Sequence, residues 1–350
     1  MGSSLKQRSA EKPLGRASVR GFAFPALAVL AVLFSGCGRA PDGKKAPAPS
    51  PQGVIAVSLL TLNNPHFRQI GDSITEEGRR LGYEVRVLGG EFDVERQSAQ
   101  VKAFVAEKVK AIVLSPCDSV AIGPAVREAN AAGIPVFTAD IACLAPDAKV
   151  VTHVATDNYG GGKQAAHAMI DALGAKGGRV GIIDHKLIES CILRVKGFKE
   201  IIARHNADCP SNRIEIVAEC PGGAAWDGGV RAAEALFKQR LGLDGIFAVN
   251  DPSALGARSV MAKSRAGGRI VLIGFDGSPE GKTAVSSGDL YATPIQYPDQ
   301  IGVETMRAIV RHFKGEALPT ELLIPTSLYR QGDADKRVAR AGASGQAAVP

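Results

Sequence analysis

The feature that most constrains this chain is an alternation of short apolar runs with amphipathic stretches, which runs through it twice. Val54–Leu60, Glu84–Leu88, Ala111–Ser115, Val136–Thr138 and Val151–Val154 read as strands. Phe67–Leu81, Val94–Ala106 and Val120–Ala132 between them read as helices, each closed by glycine or another turn signal, as in Leu81-Gly82 and Ala132-Gly133-Ile-Pro135. The pattern then restarts. Strands are expected at Arg179–Ile183, Ile214–Ala218, Gly245–Val249, Ile270–Gly274 and Leu290–Pro294. Helices are expected at Tyr159–Leu173, Ile192–His205, Asp227–Gln239, Ala254–Ser264, Pro279–Ser287 and Pro298–Lys314. Strand–helix alternation builds right-handed βαβ units on a parallel sheet. Two such sets predict an α/β protein of two doubly wound parallel-sheet lobes.

The chain of 350 residues is long enough for two domains, and 45% apolar against 22% charged residues suits a sizeable core. The net charge of +7 does not point to nucleic acid, because it is not clustered. Residues 1–36 carry Lys6, Arg8, Lys12, Arg16 and Arg20 against Glu11 alone, a net +4. The remainder has 37 basic and 34 acidic residues and no basic block.

That basic segment precedes an apolar run from Gly21 to Phe34, too short to cross a bilayer, which takes about 20 apolar residues. Ser35 and Gly36 then precede Cys37. The arrangement is similar to a bacterial lipoprotein signal, 1–36, with Cys37 acylated as the new N-terminus; the alternative is an ordinary cleaved signal. Phe34 stands where that motif usually has leucine. The expected product is exported, on the periplasmic face of a membrane, held there by acyl chains. Residues 37–53, rich in proline and alanine, read as a tether, and 333–350 as a flexible tail.

In open α/β sheets ligands sit beyond the carboxyl ends of the strands. Those ends carry Asn64, His66 and Phe67; Ser115; Asp140 and Ile141; Trp226; Asn250; Phe275 and Asp276; and Gln296. Carboxylates and amides each hold two hydroxyls in fixed directions, and aromatic rings cover the C–H face of a sugar. By position alone, Asp140 and Asp276 read equally well as helix caps or turn formers, and Asn64 and Asn250 as turns. Gly160-Gly-Gly-Lys163 lacks the spacing of a phosphate loop, and there is no Gly-x-Ser-x-Gly elbow. His66, His153 and His185 lack metal-ligand spacing. No metal, cofactor or enzymatic activity is expected.

Five signatures occur in order: Thr61-Leu-Asn-Asn-Pro65, Gly133-Ile-Pro-Val136, Asn250-Asp251 followed by Ala254-Leu-Gly-Ala257, Gly274-Phe-Asp-Gly277, and Pro298-Asp-Gln-Ile-Gly302. On these, residues 54–330 resemble the ribose-binding-protein family of periplasmic sugar-binding proteins, type I. The resemblance implies a three-segment hinge near Thr156, Gln296 and Pro325-Thr326. One lobe would be 54–155 with 297–324, the other 156–296 with 325–332. It implies ligand contacts at Asn64, Phe67, Asp140, Asn250, Phe275, Asp276 and Gln296, with Trp226 where the family often has another ring. Four positions depart from the family: His66 replaces an aromatic residue, Ser115 an amide, and Ile141 and Ile192 two arginines. Losing two forked donors removes several charge-assisted hydrogen bonds, which argues against ribose and for another sugar, a deoxy sugar or a polyol.

The implied role is the solute-binding component of an ABC-type import system. Its partners would be a small neutral polyhydroxy ligand and a membrane permease, with the protein itself a monomer. The alternative is a receptor presenting a sugar to a chemoreceptor or sensor kinase. A sugar-responsive repressor of the same fold would need a helix-turn-helix where this chain has its signal and tether.

Five cysteines remain. Cys117 and Cys143 follow consecutive strands of one lobe, and Cys191 and Cys220 those of the other. Export to an oxidising compartment suggests disulfides 117–143 and 191–220, with Cys209 free; five free thiols are the alternative.

Overall fold

The computed structural model describes residues 51–264 and 270–332. The signal, Cys37, the tether and the tail lie outside the described residues.

Sheet one is built from β1 (Val54–Leu59), β2 (Glu84–Gly89), β3 (Ala111–Leu114), β4 (Val136–Ala139), β5 (His153–Thr156) and β11 (Glu321–Ile324) in the order β11-β5-β4-β3-β1-β2, all parallel. Sheet two is built from β6 (Gly178–Asp184), β7 (Ile214–Pro221), β8 (Gly245–Ala248), β9 (Val271–Ile273), β10 (Ala292–Ile295) and β12 (Ser327–Arg330) in the order β12-β10-β9-β8-β6-β7. Only its edge strand β12 runs antiparallel. The chain passes between the sheets after Thr156, after Ile295 and through Pro325-Thr326.

The helices are α1 (Pro65–Arg80), α2 (Val94–Ala106), α3 (Gly123–Ala131), α4 (Asn158–Leu173), α5 (Glu189–Asp208), α6 (Trp226–Lys238), α7 (Asp251–Met261), α8 (Pro279–Ser287) and α9 (Pro298–Phe313). They cover both faces of each sheet, so the strands read as nearly continuous apolar runs. In β1, Ile55, Val57 and Leu59 pack into one cluster with Ile70 and Ile74 of α1, and Ala56 packs on the opposite face with Val101 and Phe104 of α2. α1 starts where Asn64 accepts a hydrogen bond from the His66 N–H at 3.0 Å and Pro65 takes the first turn. Arg79 and Arg80 close it against the dipole.

α4 and α5 touch backbone to backbone. A Cβ on Gly162 would strike the Arg194 carbonyl, and one on Gly197 the Tyr159 carbonyl. These two glycines let the helices approach closely enough for Arg194 to reach the start of α4. Within Gly160-Gly161-Gly162, then, Gly162 serves helix packing, while Gly161 makes room for the Phe275 ring.

The expected disulfides are absent: Cys117, Cys143, Cys191, Cys209 and Cys220 are free thiols. The reason is which face of the sheet each one joins. Cys117 packs in the cluster under α1, whereas Cys143 packs on the α2–α3 face. Cys191 packs with α5, whereas Cys220 packs with Ala232, Ala233 and Leu236 of α6. Following consecutive strands put the cysteines on one edge, but their side chains leave on opposite sides of the sheet.

Candidate functional site

The carboxyl ends of the two sheets face one another. Asp140 follows β4 at φ +67° and Asp276 follows β9 at φ +116°. Both values are unusual for a residue with a side chain, and such strain concentrates at functional sites. Neither aspartate caps a helix; Ser278 caps α8. Asn64 and Asn250 do cap, through 3.0 Å bonds from the N–H groups of His66 and Ser253, so the turn reading holds for them. Both nonetheless line the interlobe space.

Two ion pairs occupy that space. His66 Nε2 lies 2.9 Å from Asp140 Oδ1. Arg194 Nη1 donates to Asp276 Oδ1 at 3.1 Å and to the Val249 carbonyl at 2.8 Å, and Nε donates to Asn158 Oδ1 at 2.8 Å. The guanidinium lies 3.9 Å over the Phe275 ring. Gln296 donates to Asp276 at 2.7 Å and accepts from Thr156 Oγ1 at 2.8 Å, linking the first two passages between the sheets.

Burial disfavours charge on His66, but Asp140, by attraction and hydrogen bonding, and then Asp276 outweigh it and hold the imidazole above its ordinary pKa. Burial likewise opposes charge on Asp140. His66 and Arg194 overcome it and keep that carboxylate below its usual range. For Asp276 burial prevails over Arg194 and His66, and its pKa is raised. Behind it, Asp251 is raised by burial and by the Asp276 charge, while Thr293 and Ser278 hydrogen-bond to it.

The gap has two compartments. The inner one, about 30 Å³, takes its polar lining from Asn64, His66, Asp140, Ser190, Arg194, Asn250 and Gln296. It holds about two waters, at 10–15 Å³ each, so anything larger enters only when the lobes part. The outer one, about 550 Å³, is lined by Asn64, His66, Trp226, Asp276 and Gln296 among others. Asn64, His66 and Gln296 line both and so form the partition. Away from the hinge, Ser119 N donates to Leu187 O at 3.1 Å and Glu189 N to Ser119 Oγ at 3.2 Å. These bonds join the lobes directly, so the structure is a closed form.

Of the expected contacts, Asn64, His66, Phe67, Asp140, Ile141, Asn250 and Gln296 line the inner compartment, Asp276 the outer one, and Trp226, 50% exposed, stands at its mouth. Three do not reach it. Ser115 is fully buried and its hydroxyl donates to the Ala139 carbonyl at 2.6 Å, tying β3 to β4. Phe275 is fully buried as the floor under Arg194. Ile192 is 41% exposed and lines a separate surface hollow with Lys186 and Lys196. Helix geometry explains this: Ser190, Cys191 and Arg194 occupy the inward face of α5, and Ile192 points off it.

Ile192 therefore does not mark a guanidinium missing from the site. Arg194 supplies a guanidinium at the site but commits it to Asn158, Val249 and Asp276. Sequence reasoning had passed over Arg194. The signal was a single arginine in the buried register of an amphipathic helix, with Val195 and Phe198 beside it.

A sequence profile described as a periplasmic binding protein domain matches residues 55–317. The chain belongs to the periplasmic binding protein family. Within that family it is similar to ribose-binding proteins. It is 32% identical over 275 residues to the ribose import binding protein of Escherichia coli K12, covering 78% of this chain and 89% of that one. Among solved structures, the Caulobacter myo-inositol binding protein with myo-inositol superposes with a TM-score of 0.72 at 26% identity, covering 84% of this chain and 100% of that one. An Agrobacterium vitis ABC transporter solute binding protein with bound D-fucose gives 0.73 at 27%, covering 82% and 99%. The two-lobed parallel fold of this periplasmic binding protein is the fold of these relatives.

Proposed function

We propose that this periplasmic binding protein is the solute-binding component of an ABC-type importer and closes its lobes around a small neutral polyhydroxy ligand other than ribose. One observation carries the reading. Asp140 and Asp276 come from opposite lobes, each on strained backbone at a strand end, and both act on the one His66 ring. Ligand favours closure only through contacts made with both lobes at once, and carboxylates, amides and a cation converging there suit hydroxyl groups. His66 and Arg194 balance the two aspartates, which favours a neutral ligand. Ile141, where ribose binders carry an arginine, argues against ribose. Relatives named for ribose and apiose import, and solved structures holding myo-inositol and D-fucose, support the class.

The cycle is mechanical. Ligand contacts one lobe, the hinge closes, and the closed form is presented to a permease. Cys37, acylated, would tether a monomer to the membrane. A thermal-shift panel of monosaccharides, deoxy sugars and polyols tests the class, because bound ligand raises Tm. At least one member is expected to raise it, with ribose inactive. Asp140→Ala and Asp276→Ala should each weaken that ligand tenfold or more, given about 1.5–3 kcal/mol per charge-assisted contact. Calorimetry with unchanged affinity would remove that aspartate from the site. Mass analysis of the mature N-terminal peptide checks acylation at Cys37.

A further inference from the structure

The inner compartment is polar on one side only. Its other lining is Leu60, Phe67, Phe92, Ile141, Ile188 and Cys191, with Ala224. Three of these define a corner. Ile141, 1% exposed, follows Asp140 directly and belongs to the first lobe. Ile188, 1% exposed, and Cys191, 4% exposed, belong to the second. Ile188, Cys191 and Arg194 lie three residues apart and form one row along the start of α5. From Ile188, the extended residue just before the helix, through Cys191 to Arg194, the lining passes from aliphatic to guanidinium.

The corner offers a hydroxyl little. The Cys191 thiol is pushed up to about 12 by burial, so it stays neutral and packs as a small apolar group. Ser190 also lines the compartment, but it is 3% exposed and its side chain hydrogen-bonds to that sulfur. Ile141 and Ile188 present only hydrocarbon. A hydroxyl buried against them would leave water without gaining a partner. A methyl or methylene there would be buried by both lobes at once and would itself favour closure.

We propose that the ligand is a deoxy sugar or deoxy polyol, held by its hydroxyls at Asp140, Arg194, Asp276 and Gln296, with its unoxygenated carbon seated among Ile141, Ile188 and Cys191. This rests on the sugar-binding reading above and narrows it. Ile141 and Cys191 are then specificity-determining residues, one from each lobe. The corner also makes two neutral isosteres unequal, because hydrogen-bonding sites and apolar pockets reject the wrong substituent by different factors.

Isothermal titration of the full mature chain with matched pairs tests this: D-fucose against D-galactose, L-rhamnose against L-mannose, and 2-deoxy-D-ribose against D-ribose. The deoxy member of at least one pair should bind about tenfold or more tighter than its parent. Ile141→Ser, checked by far-UV circular dichroism for an intact fold, should narrow that ratio about tenfold. If that variant does not fold, the wild-type pairs decide alone. Equal or tighter binding of the parent in every pair that binds overturns the deoxy assignment and leaves the sugar reading standing. No binding by any member, nor by any compound of the wider panel, overturns both.

Discussion

Replacing Arg194 with methionine keeps the bulk of the side chain and removes its charge and its donors. Arg194 is 3% exposed and its guanidinium makes three hydrogen bonds, to Asn158, Val249 and Asp276, over the Phe275 ring. Without it, Asp276 keeps Gln296 as its donor but loses its main compensating charge, with Asp251 and Asp140 nearby. Breaking one side of a buried pair costs about 3–5 kcal/mol, chiefly because the partner charge is left uncompensated. At about 2–4 °C per kcal/mol for a protein near this size, Tm should fall by about 6–20 °C. The sign with pH follows. Asp276 already has a raised pKa, and losing Arg194 raises it further, so the penalty belongs to its ionised form. The deficit should therefore grow as pH rises, and shrink as pH falls and the carboxyl takes up its proton. Urea unfolding followed by circular dichroism and by fluorescence of Trp226, the single tryptophan, measures each value. In the double variant Arg194→Met with Asp276→Asn, half or more of the loss should return, since the orphan charge is gone. A loss below about 1 kcal/mol for Arg194→Met, or no recovery in the double variant, would refute the claim that this pair holds the site in shape.

Three further outcomes are expected. Glu189, whose N–H meets Ser119 of the other lobe, is pushed up to about 7 by burial, then by the charges of Glu321 and Asp140, against Arg194 and a backbone hydrogen bond from Ala142. Opening removes Glu321, Asp140 and Ala142, so the closed form binds the extra proton. Affinity for whichever ligand the panel finds should fall by up to about tenfold from pH 6 to pH 8, and Glu189→Gln should flatten that slope; an unchanged slope in the variant excludes Glu189. His66 should titrate above 6.5 by NMR, its pair with Asp140 losing strength as pH rises through the raised imidazole pKa or falls through the lowered carboxyl pKa; a value below 6.5 contradicts the pairing. Ser115→Ala should cost about 1 kcal/mol through the lost bond to Ala139 and leave ligand affinity within about twofold, because its hydroxyl does not reach the cleft; a larger affinity loss in calorimetry would put Ser115 back in the site.

Most of the architecture was legible because the central strands are buried on both faces and the helices on one, so the two periods separate cleanly. Val94–Ala106 and Pro279–Ser287 came out with the expected bounds. What failed was local. β11 and β12 lie at sheet edges and are partly exposed, so they lack the continuous apolar run that marks the buried strands. α5 starts at Glu189 rather than Ile192, because no side chain caps it and nothing in the sequence marks its first turn. In the site, residues on loops after strands were found by position, since topology carries every strand end to one place. Side-chain direction was not. Ile192 points away by the helical register, Ser115 and Phe275 turn inward, and the cysteines leave on opposite faces of their sheets. Arg194 was missed because an arginine inside a helix reads as surface until its register shows that it is buried.

Gln296 stands at the second passage between the lobes, touches Thr156 at the first, and holds the Asp276 carboxylate, a proposed ligand contact. Recognition and bending therefore share an atom set. A change at Gln296 or Thr156 would alter how far and how often the two halves separate as well as what they hold. Descendants of this chain that acquire a new cargo are free to vary Ile141 and Cys191, which bear on the cargo and not on the joint. The same division guides its use as a reporter: a dye placed near the joint would read occupancy while the cargo-facing corner is redesigned.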